Sequence, residues 1–284
     1  MQTGTEEVDY SEDLLRLAVS AADAAPAFCR DCRDYHLSWP ALRLIETTGL
    51  DSDRPRLLHL FRDLAEGGRR RWMVAGMADS GLAATVGAAV WPVHGDAVIT
   101  LVDRCETPLA LCREVAARAG RTFRTFSADL MHFQPAAPQD VIVAHSVLSH
   151  LPGEARAAVA RRFREWLGPD GRLVLTARID DELSAEEERT QRSPAHLAAI
   201  RDALRTSGLD DEALLDRICP AIGRQLAVRS TRRGIHPTAE DVARLLRAGG
   251  FATVDVVADY VPPPRQIRPS GRRARRAILM ASVS

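Results

Sequence analysis

Arg-Trp-Met-Val-Ala-Gly-Met-Ala-Asp-Ser-Gly, residues Arg71 to Gly81, is a short apolar run that breaks into a turn of small residues. Such a run is the length of a buried strand, and the small residues after it let a ligand approach the backbone closely. Ala97 to Asp103 is a second apolar run, and it ends on a carboxylate. A strand, a tight turn and a helix N-terminus, with a neighbouring strand whose carboxylate can hold two ribose hydroxyls, predict a site for an adenosine-containing cofactor.

Outward from this pair the pattern alternates. Strands are expected at Trp72–Ala75, Val98–Val102, Thr122–Ser127, Val141–Ala144 and Arg172–Ala177, with helices near Ala83–Val90, Pro108–Ala119 and Glu154–Leu167. Alternation of this kind predicts a parallel sheet covered on both faces. Pro237-Thr238 starts a helix that Gly249-Gly250 ends. Phe251–Val257 and Ala274–Val283 follow as strands, joined by a segment too short for a crossover helix, so they pair as an antiparallel hairpin. The first seventy residues read as helical, with Pro26 interrupting one helix and Pro40 and Pro55 each launching another. Asp180 to Ile235 shows helical spacing and no convincing strand, and reads as an insertion. The expected fold is α/β: a Rossmann-like, seven-stranded, mostly parallel sheet with a C-terminal antiparallel hairpin. Residues 1–69 form a helical lid, and residues 70–284 form the cofactor domain with a helical insertion at 180–236.

Acidic and basic residues balance at 38 each over 284 residues, so no net field favours nucleic acid or an anionic surface. Every basic residue is arginine. That excludes a phosphate-loop lysine, a Schiff-base lysine and the Tyr-x-x-x-Lys pair of short-chain dehydrogenases. Five irregularly spaced cysteines do not suggest a disulfide framework, and no apolar run is long enough to cross a membrane. A cytoplasmic protein is expected.

The ordered motifs resemble those of the class I S-adenosylmethionine-dependent methyltransferases, over about Arg70 to Ser284. Val74 to Gly81 stands where that family has its glycine-rich first motif. Leu101-Val102-Asp103-Arg104 is similar to the acidic second strand, and Ser127-Ala128-Asp129-Leu130 to the third motif. Asp140 to Pro152, which includes His145, Ser146 and His150, is similar to the fourth strand and its loop. The first motif departs from the family pattern: Ala78 replaces a glycine, Ser80 stands where glycine is frequent, and Val74 replaces an acidic residue.

The resemblance implies S-adenosylmethionine as cofactor, with S-adenosylhomocysteine as product, and methyl transfer to a small-molecule acceptor. It implies cofactor contacts at Gly76, Met77, Ala78, Ser80, Asp103, Arg104, Asp129, Leu130, His145 and Ser146. Asp103 would bind the ribose, and Asp129 the adenine amine. Candidate catalytic residues are His145, at the end of the fourth strand, and Tyr35 and His36, in a lid segment before Trp39-Pro40. Two alternatives stay open. The altered first motif suits a lyase or cyclase acting within the cofactor, and a degenerate fold suits a non-catalytic binding protein.

Two other features point to chemistry and are discounted. Cys29-x-x-Cys32-x-x-Tyr35-His36 has the look of a metal motif, but zinc needs four ligands and no second pair follows at suitable spacing, so no metal is expected. Arg265, Arg268, Arg272, Arg273, Arg275 and Arg276 make a basic hairpin without interleaved aromatics, read as a solvated tip rather than a nucleic-acid surface. A homodimer is left open.

Overall fold

The computed structural model describes residues 13–179, 189–230, 236–262 and 275–284. Seven strands form one sheet: β1 (Arg71–Ala75), β2 (Val98–Asp103), β3 (Arg124–Ser127), β4 (Gln139–His145), β5 (Leu167–Ile179), β6 (Thr253–Tyr260) and β7 (Arg275–Ser282). Their order is β3-β2-β1-β4-β5-β7-β6. β1 to β5 are mutually parallel, and β7 runs antiparallel to both β5 and β6. This is the expected architecture, with the chain reversal confined to the last hairpin.

The central strands carry continuous apolar runs, Trp72–Ala75, Val141–Ala144 and Leu173–Leu175, because both of their faces are buried there. Met73 and Ala75 of β1 pack into one core cluster with Ile142, Ala144, Leu173 and Leu175, while Trp72 and Val74 pack into another with Val141, Val143 and Val174. Successive side chains of a strand point to opposite faces, so an unbroken apolar run demands a covering layer on each side. On the first face lie α6 (Gly153–Trp166) and α9 (Ala239–Ala248), through Phe163, Trp166, Val242 and Leu246. On the second lie α3 (Gly49–Glu66), α4 (Gly81–Val90) and α5 (Glu106–Arg118), through Leu57, Phe61, Val86 and Leu109. Thr238 caps α9 in a reciprocal box with Asp241, as Pro237-Thr238 led one to expect.

The N-terminal helices depart from the sequence reading. α1 (Leu14–Phe28) contains Pro26, α2 (Arg33–Leu44) contains Pro40, and α3 contains Pro55, so none of these prolines starts or stops a helix. An interior proline costs about 3 kcal/mol through a lost hydrogen bond and a ring clash. In α2 the buried Leu37, Ala41 and Leu42 lie on both sides of Pro40, and their packing offsets that cost. The turn between α1 and α2 falls at residues 29–32.

Two helices of the insertion, α7 (Pro194–Thr206) and α8 (Glu212–Ser230), complete a cap. Ile200, Leu204, Leu215, Ile218 and Ile222 share one apolar cluster with Ala18, Ala22, Ala25, Leu37 and Leu42 of α1 and α2. Arg224 donates from both Nε (2.7 Å) and Nη2 (2.8 Å) to the Asp34 carboxylate, tying α8 to α2 and holding that carboxyl below its ordinary value. α3 does not join this cap; it belongs to the layer on the sheet. Among the described residues no helix is long and apolar enough to cross a membrane.

Candidate active site

The strand order reverses between β1 and β4, and the carboxyl ends of these two strands open a crevice there. Both strands leave the sheet through a left-handed residue, Gly76 at φ 73° after β1 and Ser146 at φ 56° after β4. Gly76 is required twice over. Its φ disfavours any side chain, and a Cβ there would lie 2.6 Å from Val147 Cγ2. Ser146 is held in an unfavourable conformation by its surroundings: its amide donates to the Thr176 carbonyl, and its own carbonyl accepts from the Ser149 hydroxyl.

A cavity of about 940 Å³ fills the space between these turns and the cap. Gly76, Met77, Ala78, Asp103, Arg104, Asp129, Leu130, His145 and Ser146 all line it, so nine of the ten residues expected to contact the cofactor share one wall. Ser80 is the exception. It is fully buried beneath the turn at the start of α4 and takes no part in the wall. Asp79, beside it, does the local work: its carboxylate accepts from the Gly81 amide and pairs at 3.1 Å with the buried Arg43, which docks α2 on the turn.

Asp103 faces the cavity with part of its acceptor capacity already used. Oδ2 accepts from the Met77 amide and Oδ1 from the Cys105 amide, each at 2.7 Å. Burial pushes its carboxyl up, and these two amides oppose that shift. A carboxylate offers about four acceptor sites, so one remains on each oxygen. Two acceptors side by side on a cavity wall match a vicinal diol. Asp129 accepts from the Met131 amide at 2.8 Å, a local turn that holds its side chain at the wall.

Elsewhere on the lining, Tyr35 packs its ring against Trp39 (5.2 Å) and His150 (5.3 Å), and all three border the cavity. His36 is placed differently from the expectation of a catalytic lid residue. It is 3 % exposed, and its Nδ1 donates to the Ala78 carbonyl at 2.7 Å, since a carbonyl can only accept. Its ring also meets the Tyr35 ring edge-on, and the Cys32 and Cys105 thiols lie beside it. It borders the cavity, but its Nδ1–H is engaged by the backbone of the turn.

The largest departure from the sequence reading lies beneath His145. Asp53 of α3 is fully buried and accepts from His145 Nε2 (2.9 Å), Tyr260 Oη (2.6 Å) and Arg276 Nε (2.8 Å). Burial alone would push the Asp53 carboxyl up; the Arg276 charge and the hydrogen bonds from His145 and Arg276 outweigh it and hold the group well below the carboxylate range. Tyr260 moves the opposite way, raised by burial and by the Asp53 charge. Arg276 is thus no part of a solvated hairpin tip. It is buried because β7 carries it to the end of β5, where Asp53 needs a cation. Arg275 pairs with Asp259 across the hairpin, while Arg265, Arg268, Arg272 and Arg273 lie outside the described residues. Asp53 and Arg276 are 223 positions apart, and Asp53 in sequence is only one of several acids near a helix start.

Residues 76–171 match a family model for a methyltransferase domain. That match covers about a third of the chain and speaks for a methyltransferase-like domain over those residues. Among solved structures, the domain and its cap are similar to PigF with S-adenosylhomocysteine: 15 % identity over 94 % of this chain and 68 % of that one, with a TM-score of 0.53. An O-methyltransferase candidate from Nostoc punctiforme gives 14 % identity over 97 % and 72 %, with a TM-score of 0.51. At these identities the likeness speaks for the methyltransferase fold alone. The curated protein sequences contain no match.

Proposed function

We propose that the chain transfers the methyl group of S-adenosylmethionine to a small-molecule acceptor enclosed between the sheet and its helical cap. One observation carries this reading: a single cavity of about 940 Å³ runs from the Gly76 turn, Asp103 and Asp129 to the aromatic wall of Tyr35, Trp39 and His150. Cavities for small molecules and cofactors run to roughly 300–1,000 Å³, and this one is at the upper end, with room for a cofactor and a small acceptor together.

Bound S-adenosylmethionine supplies a methyl group already activated on a sulfonium. The chain's own residues bind, orient and exclude water, which accounts for roughly 7–11 kcal/mol of a barrier when the geometry is held. Asp103 takes the ribose diol on its two remaining acceptor sites, and Asp129 takes the adenine amine beside Leu130. The backbone of Gly76, Met77 and Ala78 receives the methionine end, flanked by Arg104 and Ser146. Tyr35 faces the acceptor side, where its ring stabilises a cation. His145 is the proton acceptor: Asp53 holds its Nε2–H, which leaves Nδ1 as the basic atom. α1, α2, α7 and α8 act as the cap, within the 1–69 and 180–236 segments.

The experiment has two arms. Calorimetry with S-adenosylmethionine should show binding, and incubation with candidate acceptors should release S-adenosylhomocysteine only when an acceptor is present. A breakdown product formed from cofactor alone would overturn methyl transfer in favour of cleavage or cyclisation. Absence of binding would overturn the cofactor assignment.

A further inference from the structure

Three cysteines and a histidine converge where the cap meets the sheet. Cys29 closes α1, Cys32 precedes α2, His36 lies in the first turn of α2, and Cys105 precedes α5. One ligand atom from each, three Sγ and one ring nitrogen, all lie within 4.8 Å of one another. A tetrahedral zinc site, with Zn–S of about 2.3 Å and Zn–N of about 2.0–2.1 Å, has ligand atoms roughly 3.5–3.8 Å apart. Cys29 Sγ and Cys105 Sγ stand at 3.5 Å, far beyond the ~2.05 Å of a disulfide. The motif Cys29-x-x-Cys32-x-x-x-His36 lacks a second pair in sequence, and the fold supplies the fourth donor from 69 residues beyond His36.

We propose that Cys29, Cys32, His36 and Cys105 bind one zinc ion in a closed, structural site. Three independent features support it besides the clustering. The Nδ1–H of His36 is fixed on the Ala78 carbonyl, the outer hydrogen bond that sets the tautomer of a ligating histidine and directs Nε2 at the metal. The Thr107 hydroxyl lies 3.0 Å from Cys29 Sγ and can donate to a thiolate there. Cys29, His36 and Cys105 are each less than a tenth exposed and Cys32 is half-buried, which shields the cluster from bulk water where it borders the cavity. A donor set of three sulfurs and one imidazole selects zinc over oxygen-seeking cations. Binding forms three Zn–S bonds and one Zn–N bond and releases three thiol protons to solvent, with no electron transferred.

The position gives the site a purpose. Cys105 is two residues beyond Asp103, and its amide is one of the two that hold the Asp103 carboxylate. Zinc would staple the α1–α2 turn of the cap to that loop, so the cap and the ribose carboxylate are set against each other before any ligand arrives.

The test uses the full chain, purified under reducing conditions from zinc-supplemented cells, with metal measured by elemental mass spectrometry. One equivalent of zinc per chain is expected. Cys32→Ser and Cys105→Ser should each lower it to about a tenth or less, while Cys219→Ser leaves it unchanged. Because a ligand variant can lose metal by unfolding, the wild-type chain supplies a second measurement. After stripping with a chelator, added zinc alone should protect Cys29, Cys32 and Cys105 from alkylation and leave Cys219 as reactive as before. Cobalt in the same site should give the absorption of a tetrahedral thiolate complex. The proposal is overturned by wild-type chain without zinc that also shows no zinc protection. It is equally overturned by a Cys29–Cys105 disulfide in the reduced preparation, or by equal metal loss in Cys219→Ser. None of these readouts depends on methyl transfer.

Discussion

Asp103→Ala separates two roles that the structure gives to one carboxylate. In the free protein, Asp103 accepts from the Met77 and Cys105 amides at 2.7 Å each. Hydrogen bonds to a charged group contribute about 1.5–3 kcal/mol apiece. Burial of the carboxylate opposes them and, as its raised pKa shows, is the larger effect, so the loss on removing the side chain is that of amides left without their acceptor, about 1–3 kcal/mol. For a chain of this size that is a fall in melting temperature of roughly 2–8 °C. The second loss is to the cofactor. Two charge-assisted bonds to the ribose diol, partly replaced by water, give an affinity loss of about 100-fold or more. Differential scanning fluorimetry of the free protein and calorimetry with S-adenosylmethionine read the two effects separately. Asp103→Asn keeps one acceptor and should fall between wild type and alanine in both. If Asp103→Ala melts like wild type, the amide anchoring is wrong. If it binds cofactor like wild type while folded, Asp103 does not hold the ribose and the motif assignment falls.

Other perturbations test the rest of the site. Gly76→Val places a β-branched residue at φ 73° against Val147, so both stability and cofactor binding should drop; retained binding would mean that this turn does not line the cofactor site. Asp53→Asn strands the buried Arg276 and should cost about 3–5 kcal/mol in urea unfolding, with a near-neutral result refuting the buried network. A carboxyl held below its ordinary value binds fewer protons folded than unfolded. Its contribution is therefore full above the unfolded pKa of about 3.9 and is lost as pH falls through the folded value. Wild type should lose stability more steeply than Asp53→Asn from about pH 5 downward, and parallel profiles would remove the linkage. Tyr35→Leu should lower turnover roughly tenfold or more with cofactor affinity little changed; equal losses in both would place Tyr35 on the cofactor instead.

The alternation of apolar runs and small-residue turns between Arg71 and Ile179 was enough to determine a parallel sheet. Its strands are buried on both faces and must be unbroken apolar runs, and that pattern is local. The C-terminal hairpin followed from a connection too short for a crossover. The same local signals placed Gly76, Asp103, Asp129 and His145 at strand ends, which is where they line the cavity. Local signals misled wherever packing outweighed propensity. Pro26, Pro40 and Pro55 sit inside helices because apolar contacts along α1 to α3 offset the missing hydrogen bonds. Three assignments depended on the tertiary structure alone. Asp53 and Arg276 find each other across most of the chain, and no spacing rule connects positions that meet only when α3 lies against the end of β7. Ser80 has the residue type of a ligand contact, but the turn it sits in directs it inward. Cys105 joins Cys29, Cys32 and His36 because the cap docks on the β2–α5 loop, a meeting set by the packing of helices far apart in sequence.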